Sequence, residues 1–418
     1  MTQVIRLVRS SAAVVTAACV TAVIVLAGAV PAGAQDGGPD PSKVRVRIGP
    51  LWMNPTIALS NLGVDQNVFN DAPDQAPKKD ITATLEPNTD LWLRLGRTWL
   101  TATLKEQIVW YVKYASERSV NNAFTLGWRV PLTRLIFNTA VIVTTTRERT
   151  GYEIDARTPR NDKTYNGSVE FRGLPKTFFG VRGEHMTSLF DDTAVFKNVD
   201  LHTELSHSTT SGGLFIRHQL TPLTAFAVAA SHSEDRFQFD PLRNSTSTIV
   251  TASVNFDPFA LIRGSATVGY RKFQPADPGL AGYQGATFGA DLGYTIQGST
   301  KIALKALRDV QYSYDANQPY YLQTGGDVSI AQQIFGPFDG EGRLGAQQLA
   351  YQTLDRAAMA LTLINRVDRV RSYGAGIGYH MGKDLRLGVN VDKIKRLSDI
   401  KDHNFDNIKF GTAVTYLF

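Results

Sequence analysis

The last twelve residues read Asn407-Ile408-Lys409-Phe410-Gly411-Thr412-Ala413-Val414-Thr415-Tyr416-Leu417-Phe418. In an extended strand, successive side chains point to opposite faces. Ile408, Phe410, Thr412, Val414, Tyr416 and Phe418 therefore share one face, and Asn407, Lys409, Gly411, Ala413 and Thr415 share the other. On a soluble protein, an apolar face this continuous on a terminal strand would be an open edge and an aggregation hazard. Turned toward lipid it is the last strand of a closed barrel.

Working back from that strand, the same alternation recurs along most of the chain. In Leu385-Arg386-Leu387-Gly388-Val389-Asn390-Val391-Asp392 the odd positions are apolar and the even ones polar or small. Short turns punctuate the pattern at residues 95–98, 131–134, 174–177, 221–224, 257–260, 297–300, 336–339 and 381–384. Longer polar segments fall at 68–80, 148–162, 191–206, 274–283, 315–319, 354–368 and 396–405. Short turns on one side and long loops on the other are the habit of transmembrane barrels, with the short turns periplasmic and the long loops extracellular. Eight short turns make eight hairpins. A strand near residues 53–64 and the final strand bring the expected total to about eighteen, with sixteen as the alternative. The expected fold is thus an all-β, antiparallel, up-and-down transmembrane barrel. Residues 354–368 have some helical character and are a candidate short helix in an outer loop. A terminal aromatic preceded by alternating apolar residues also resembles the C-terminal signature of outer-membrane barrels. That resemblance implies that Phe410, Val414, Tyr416 and Phe418 form an insertion signal read by the barrel-insertion machinery.

The N-terminus fits that destination. Arg6 and Arg9 precede an apolar run from Ala12 to Val30, and Ala32-Gly33-Ala34 supplies a small-x-small cleavage site. Residues 1–34 read as a signal peptide, 35–51 as a short periplasmic segment with no room for a plug domain, and 52–418 as the barrel. The only cysteine, Cys19, lies in the leader, so disulfides, cysteine-ligated metals and thiol catalysis are not expected. At a mean hydropathy of −0.15 the chain is too polar for a bundle of membrane helices. Its 44 basic residues against 38 acidic ones form no run of five, so nucleic acid is not an expected partner.

Strand parity sorts the charges. Ile262, Ala266, Val268 and Tyr270 oppose Arg263, Ser265, Thr267 and Arg271, and similar sets recur on other strands. An arginine on the lipid face would cost ~2–4 kcal/mol at the midplane. The expected lumen-lining residues are therefore Arg129, Arg172, Arg182, Glu184, Arg263, Arg271, Asp291, Lys301, Lys305, Arg386, Asp392 and Lys409, a mixed lining with a basic bias. Such charges either brace the wall by pairing across strands or, as a set, attract anionic solute.

No catalytic, cofactor or metal residues stand out. Of the seven histidines, none has metal-ligand spacing beyond the weak His202/His207 pair, which reads better as surface histidines. A Ser/His/acid site assembled from distant residues stays open.

Leu62-Gly63-Val64-Asp65-Gln66-Asn67-Val68-Phe69 resembles the Gly-x-Asp-x-Asn-Val-Phe signature of the putative β-barrel porin 2 family. Leu220–Thr224 and Tyr373–Tyr379 are similar to later strands of that family. The resemblance implies an outer-membrane protein of a Gram-negative bacterium, often tied to exopolysaccharide or capsule systems. Asp65 and Asn67 could equally shape the first outer loop. The expected function is a passive channel, or an exporter, for anionic sugars or extracellular polysaccharide. Inward loops at 148–162 or 191–206 would set its size limit. Its expected surroundings are outer-membrane lipid and lipopolysaccharide, with polysaccharide secretion components as possible partners. The alternatives are a structural or surface-interaction barrel without transport, and a barrel enzyme acting on lipid or polysaccharide.

Overall fold

A computed structural model describes Pro39 and residues 44–96, 98–257, 260–355, 366–382 and 384–417. The expected leader, Phe418 of the insertion signal, and most of the candidate helix at 354–368 lie outside these residues.

Alternation becomes eighteen long strands. The first six are β1 Leu51–Asp65, β2 Asp80–Leu95, β3 Thr98–Tyr111, β4 Ser119–Pro131, β5 Leu135–Arg149 and β6 Arg157–Leu174. The next six are β7 Thr177–Phe190, β8 His207–Thr221, β9 Thr224–Phe237, β10 Ser245–Phe256, β11 Ile262–Pro275 and β12 Tyr283–Ile296. The last six are β13 Thr300–Tyr312, β14 Tyr320–Phe335, β15 Phe338–Gln352, β16 Val367–Met381, β17 Leu385–Leu397 and β18 Phe405–Leu417. Each strand pairs antiparallel with its sequence neighbour, and β18 pairs back onto β1 to close the ring. The count is eighteen, which removes the sixteen-strand alternative.

All eight short turns fall where the punctuation placed them. At the β12–β13 turn, Gln297 (φ 47°) and Gly298 (φ 73°) are both left-handed, as a two-residue hairpin turn matched to strand twist requires. Two long-side loops were not anticipated, at residues 112–118 and 238–244. Both are brief and carry apolar residues that read as strand. The segment expected as a loop at 148–162 is mostly strand. β5 runs to Arg149 and β6 starts at Arg157, leaving 150–156 as the connection.

The seam is irregular. Between Leu59 and Leu62 the register of β1 against β18 shifts, with Asn61 at φ 51°. Beyond this bulge β1 and β18 approach so closely that a Cβ on Gly63 would sit 1.9 Å from the Phe410 carbonyl oxygen. At the other end of β1, where β18 no longer pairs, a three-residue strand Val46–Ile48 takes up the ladder against Leu51–Met53.

The outward face is apolar and open to its surroundings, with Leu214, Val268, Ile377 and Val389 more than 60% exposed. The buried clusters lie inside, toward the long-loop end, where loops and upper strands meet.

Candidate functional site

The lumen is crossed by the β5–β6 connection. In a ring of eighteen, β5 and β6 lie nine positions from β14 and β15, which is the opposite wall. The tip nevertheless reaches that wall. Tyr152 hydrogen-bonds the side chains of Asp327 on β14 and Gln347 on β15, and packs on Tyr321, Leu349, Tyr351 and Val370. Glu153 is fully buried. Its carboxylate accepts from Ser313 Oγ (2.6 Å) and from the Tyr314 backbone N–H (3.3 Å) in the β13–β14 loop. Ile154 joins a cluster with Phe196, Leu201 and Tyr314. Asp155 pairs with Arg396 of β17, which also donates to the Tyr152 (2.9 Å) and Glu153 (3.1 Å) carbonyls. Nearer the root, Arg149 donates to the Asp155 (2.6 Å) and Val68 (2.5 Å) carbonyls. Burying these polar groups is tolerable because each has found a partner.

Other loops complete a cover over the hairpin. In the β7–β8 loop, Lys197 donates to the Asp402 carbonyl of the β17–β18 loop (2.7 Å), which again spans the ring. Arg243 ties the β9–β10 loop to Glu204 (2.6 Å) and to the Ser313 carbonyl. Arg366 binds Asp368 through two nitrogens and reaches His403 Nδ1 (2.6 Å). Burial raises the Glu153 carboxyl to about 7, against the opposing pull of Ser313 and Arg366. Burial, reinforced by the cations Arg366, Lys197 and Arg396, lowers the His403 imidazole to about 2. Burial, aided by Arg396, lowers Lys197 to about 8.

The twelve charges picked from strand parity sit opposite the exposed apolar face, and most have partners. Arg271 donates to Asp309 (3.0 Å) and Ser247 (3.1 Å). Arg386 grips Asp339 through two nitrogens, at 2.7 and 2.6 Å, and His380 joins them at 2.6 Å. Asp392 accepts from Arg343 (2.7 Å), which also holds Glu341 (3.0 Å). Lys409 lies 3.0 Å from the buried carboxylate of Asp65. Lys305 faces Asp291 at 4.0 Å, and Lys301 stands four residues away on the same face. Arg182 and Glu184 are electrostatic neighbours, and Arg172 lies over the Phe178 ring at 5.1 Å. Arg129 is in reach of Glu170 and Arg217. Arg263 is exposed and makes no hydrogen bond or ion pair with a described residue.

Sequence reading missed Arg217, whose ion pair with the fully buried Glu170 is almost wholly enclosed. Leu214-Phe215-Ile216 just before it interrupts the alternation, because Phe215 points inward over Gly180. It also missed Glu153, Arg243, Arg366, Asp368 and Arg396. The partners of Glu153 and Arg243, and the hairpin residues that Arg396 holds, lie dozens to hundreds of residues away. The Asp65/Asn67 motif is a clasp for the seam. Asn407 donates to Asp65 (2.9 Å) and to the Asn67 carbonyl (3.0 Å), and Asn67 donates to the Asp406 carbonyl (3.2 Å).

A closed eighteen-strand barrel with an apolar outer face, a polar interior and inward-folded loops defines a porin-like outer-membrane β-barrel. The family model described as putative beta-barrel porin 2 matches residues 41–418, and the chain belongs to that family. Solved structures of similar backbone include a BenF-like porin from Pseudomonas fluorescens Pf-5, at 10% identity and TM-score 0.47, covering 89% of this chain and 100% of that one. Pseudomonas aeruginosa OccK2 (OpdF) in complex with glucuronate is 9% identical at TM-score 0.47, covering 88% and 98%. Acinetobacter baumannii OccAB2 is 9% identical at TM-score 0.45, covering 88% and 98%. No curated protein sequence matches the chain.

Proposed function

We propose that the barrel is a diffusion channel in the outer membrane of a Gram-negative bacterium, narrowed by the β5–β6 hairpin and passing small anionic sugars. The observation that carries this reading is the hairpin tip fastened to the wall opposite its root. A tip held there sets a size limit, so in this conformation a polysaccharide chain would have to displace the hairpin to pass. The anion preference rests on inward cations left over after pairing, chief among them Arg263. A cleaved leader and insertion through the closing strand belong to the same proposal.

The test is electrical. Purified barrel in planar bilayers should conduct, and replacing residues 150–156 with a two-residue Asn-Gly turn should raise the conductance severalfold. If shortening the hairpin leaves conductance unchanged, the hairpin is not the constriction. One observation favours a second reading, a barrel closed by its loops: six long-side segments interlock over the lumen. That reading requires no current from the intact protein, with current appearing only after loops are removed.

A further inference from the structure

On the outer face, at the extracellular ends of β16 and β17, four cations stand together. Arg369 and Arg371 share strand parity with the exposed Tyr373, Ile377 and Tyr379, while Asp368 and Val370 of the other parity are buried. Lys393 and Lys395 share parity with the exposed Leu387, Val389 and Val391. Arg371 lies directly opposite Lys395, and Tyr373 opposite Lys393. Like charges directly opposite each other on one sheet face repel. Among the described residues the acid facing this group is Asp406 of β18, directly opposite Lys395, with its carboxylate 3.1 Å from Lys393 Nζ. Asp399 is nearby but accepts from the Val367 backbone N–H (3.0 Å). Arg369, Arg371 and Lys395 have no hydrogen-bond or ion-pair partner among the described residues. The site thus concentrates unneutralised positive charge where nothing in the chain calls for it.

Its height is informative. The outward apolar positions run from Met381 up to Tyr373 on β16 and from Leu385 up to Val391 on β17. The eight steps from Met381 to Tyr373 span about 27 Å of strand, or roughly 21 Å of height at a tilt near 40°, which brings Tyr373 to the upper part of the roughly 25 Å apolar band of a barrel. Tyr373 then falls in the aromatic girdle, and the four cations sit just above it, level with the headgroups of the outer leaflet. The penalty for a lipid-face arginine falls to about 0–1 kcal/mol at that depth. Tyr165 with Lys163, and Tyr270 with Lys272, repeat the tyrosine-then-cation spacing on β6 and β11, but each of those cations stands alone on its strand end.

The geometry points to a binding site for the phosphate groups of an outer-leaflet lipid headgroup, formed by Arg369, Arg371, Lys393 and Lys395. Guanidinium and ammonium groups on two adjacent strands offer a phosphate several charge-assisted donors at once, and a bound phosphate removes the Arg371–Lys395 repulsion. The site depends only on the barrel's placement in the membrane and is independent of what the lumen carries.

The test is native mass spectrometry of the full-length barrel in detergent, titrated with bisphosphorylated lipid A, with dephosphorylated lipid A, and with inorganic phosphate as competitor. The variants are Arg369→Gln/Arg371→Gln/Lys395→Gln, the conservative Arg369→Lys/Arg371→Lys, and the control Lys163→Gln/Lys272→Gln. Retention of the heat-modifiable folded band on gels verifies that each variant is a closed barrel. Phosphorylated lipid should bind the native protein, the Arg→Lys variant and the control alike. The Gln variant should bind it about a hundredfold more weakly, a factor of about five for each cation removed. Equal binding by the Gln variant overturns the site. Equal binding of dephosphorylated lipid overturns phosphate as the recognised group. Displacement by low millimolar inorganic phosphate overturns the lipid as its source.

Discussion

Glu153 makes the hairpin's docking depend on pH. Docked, its carboxyl is raised from 4.5 to about 7, chiefly by burial. Undocked, it would sit in water with an ordinary value. A group whose value is higher in the docked state favours docking fully below the undocked value, and that support is lost as pH rises through the docked value. The window is therefore pH 4.5 to 7, with docking strongest on the acid side. The difference is worth roughly 3 kcal/mol, about two orders of magnitude in the ratio of docked to undocked hairpin. The groups facing Glu153 stay quiet in this window. His403 is lowered to about 2 and remains neutral, and the burial that lowers Lys197 leaves it at about 8, above the window. Tyr314 and Tyr351 also border the site. In planar bilayers, the native barrel should show more high-conductance openings at pH 7.5 than at pH 4.5. Glu153→Gln, which keeps the shape and an acceptor for Ser313 without the charge, should stay in the low-conductance state throughout. A native channel with the same gating at both values, or a Gln variant that keeps the native pH profile, would refute the reasoning.

Three other substitutions probe the wall and seam. Gly63→Ala should prevent closure of β1 onto β18, since its Cβ would overlap the Phe410 carbonyl oxygen. The expected result is loss of the heat-modifiable folded band, whereas Gly289→Ala, with open space at its Cβ, should keep it. Arg217→Met leaves Glu170 buried without its partner and should cost about 3–5 kcal/mol, read as a lower urea midpoint. Removing both charges with Glu170→Gln should recover most of that loss. Arg263→Gln should reduce anion selectivity measured by reversal potential, while Lys409→Gln, whose ammonium is already held by Asp65, should shift it less. Equal shifts from the two would show that pairing does not decide which cations solute feels.

The wall of this barrel was legible in the sequence, and the contents of its lumen were not, for one physical reason. Period-two alternation is a local consequence of the strand, so Arg271 and Val268 reveal their opposite faces through near neighbours alone. Turn chemistry is equally local, and all eight short turns were readable from the glycines and prolines in or beside them. What each inward charge touches is decided by ring closure, which places β5 beside β4 in sequence but across from β14 in space. Parity therefore marked Asp392 and Arg386 as inward without revealing that Arg343 and Asp339 already neutralise them. The β5–β6 tip was harder still. Gly151-Tyr152-Glu153-Ile154 reads as an ordinary polar loop with one apolar residue, and no local rule says that Glu153 will find Ser313, 160 positions away. The family motif at Asp65 and Asn67 lies between these cases. Its residues were conspicuous, but their role needed Asn407, at the far end of the chain. The closing strand joins the two kinds of information: its outward residues mark a membrane wall from sequence alone. Its inward Asn407 and Lys409 acquire meaning only when the ring shuts and sets them against β1.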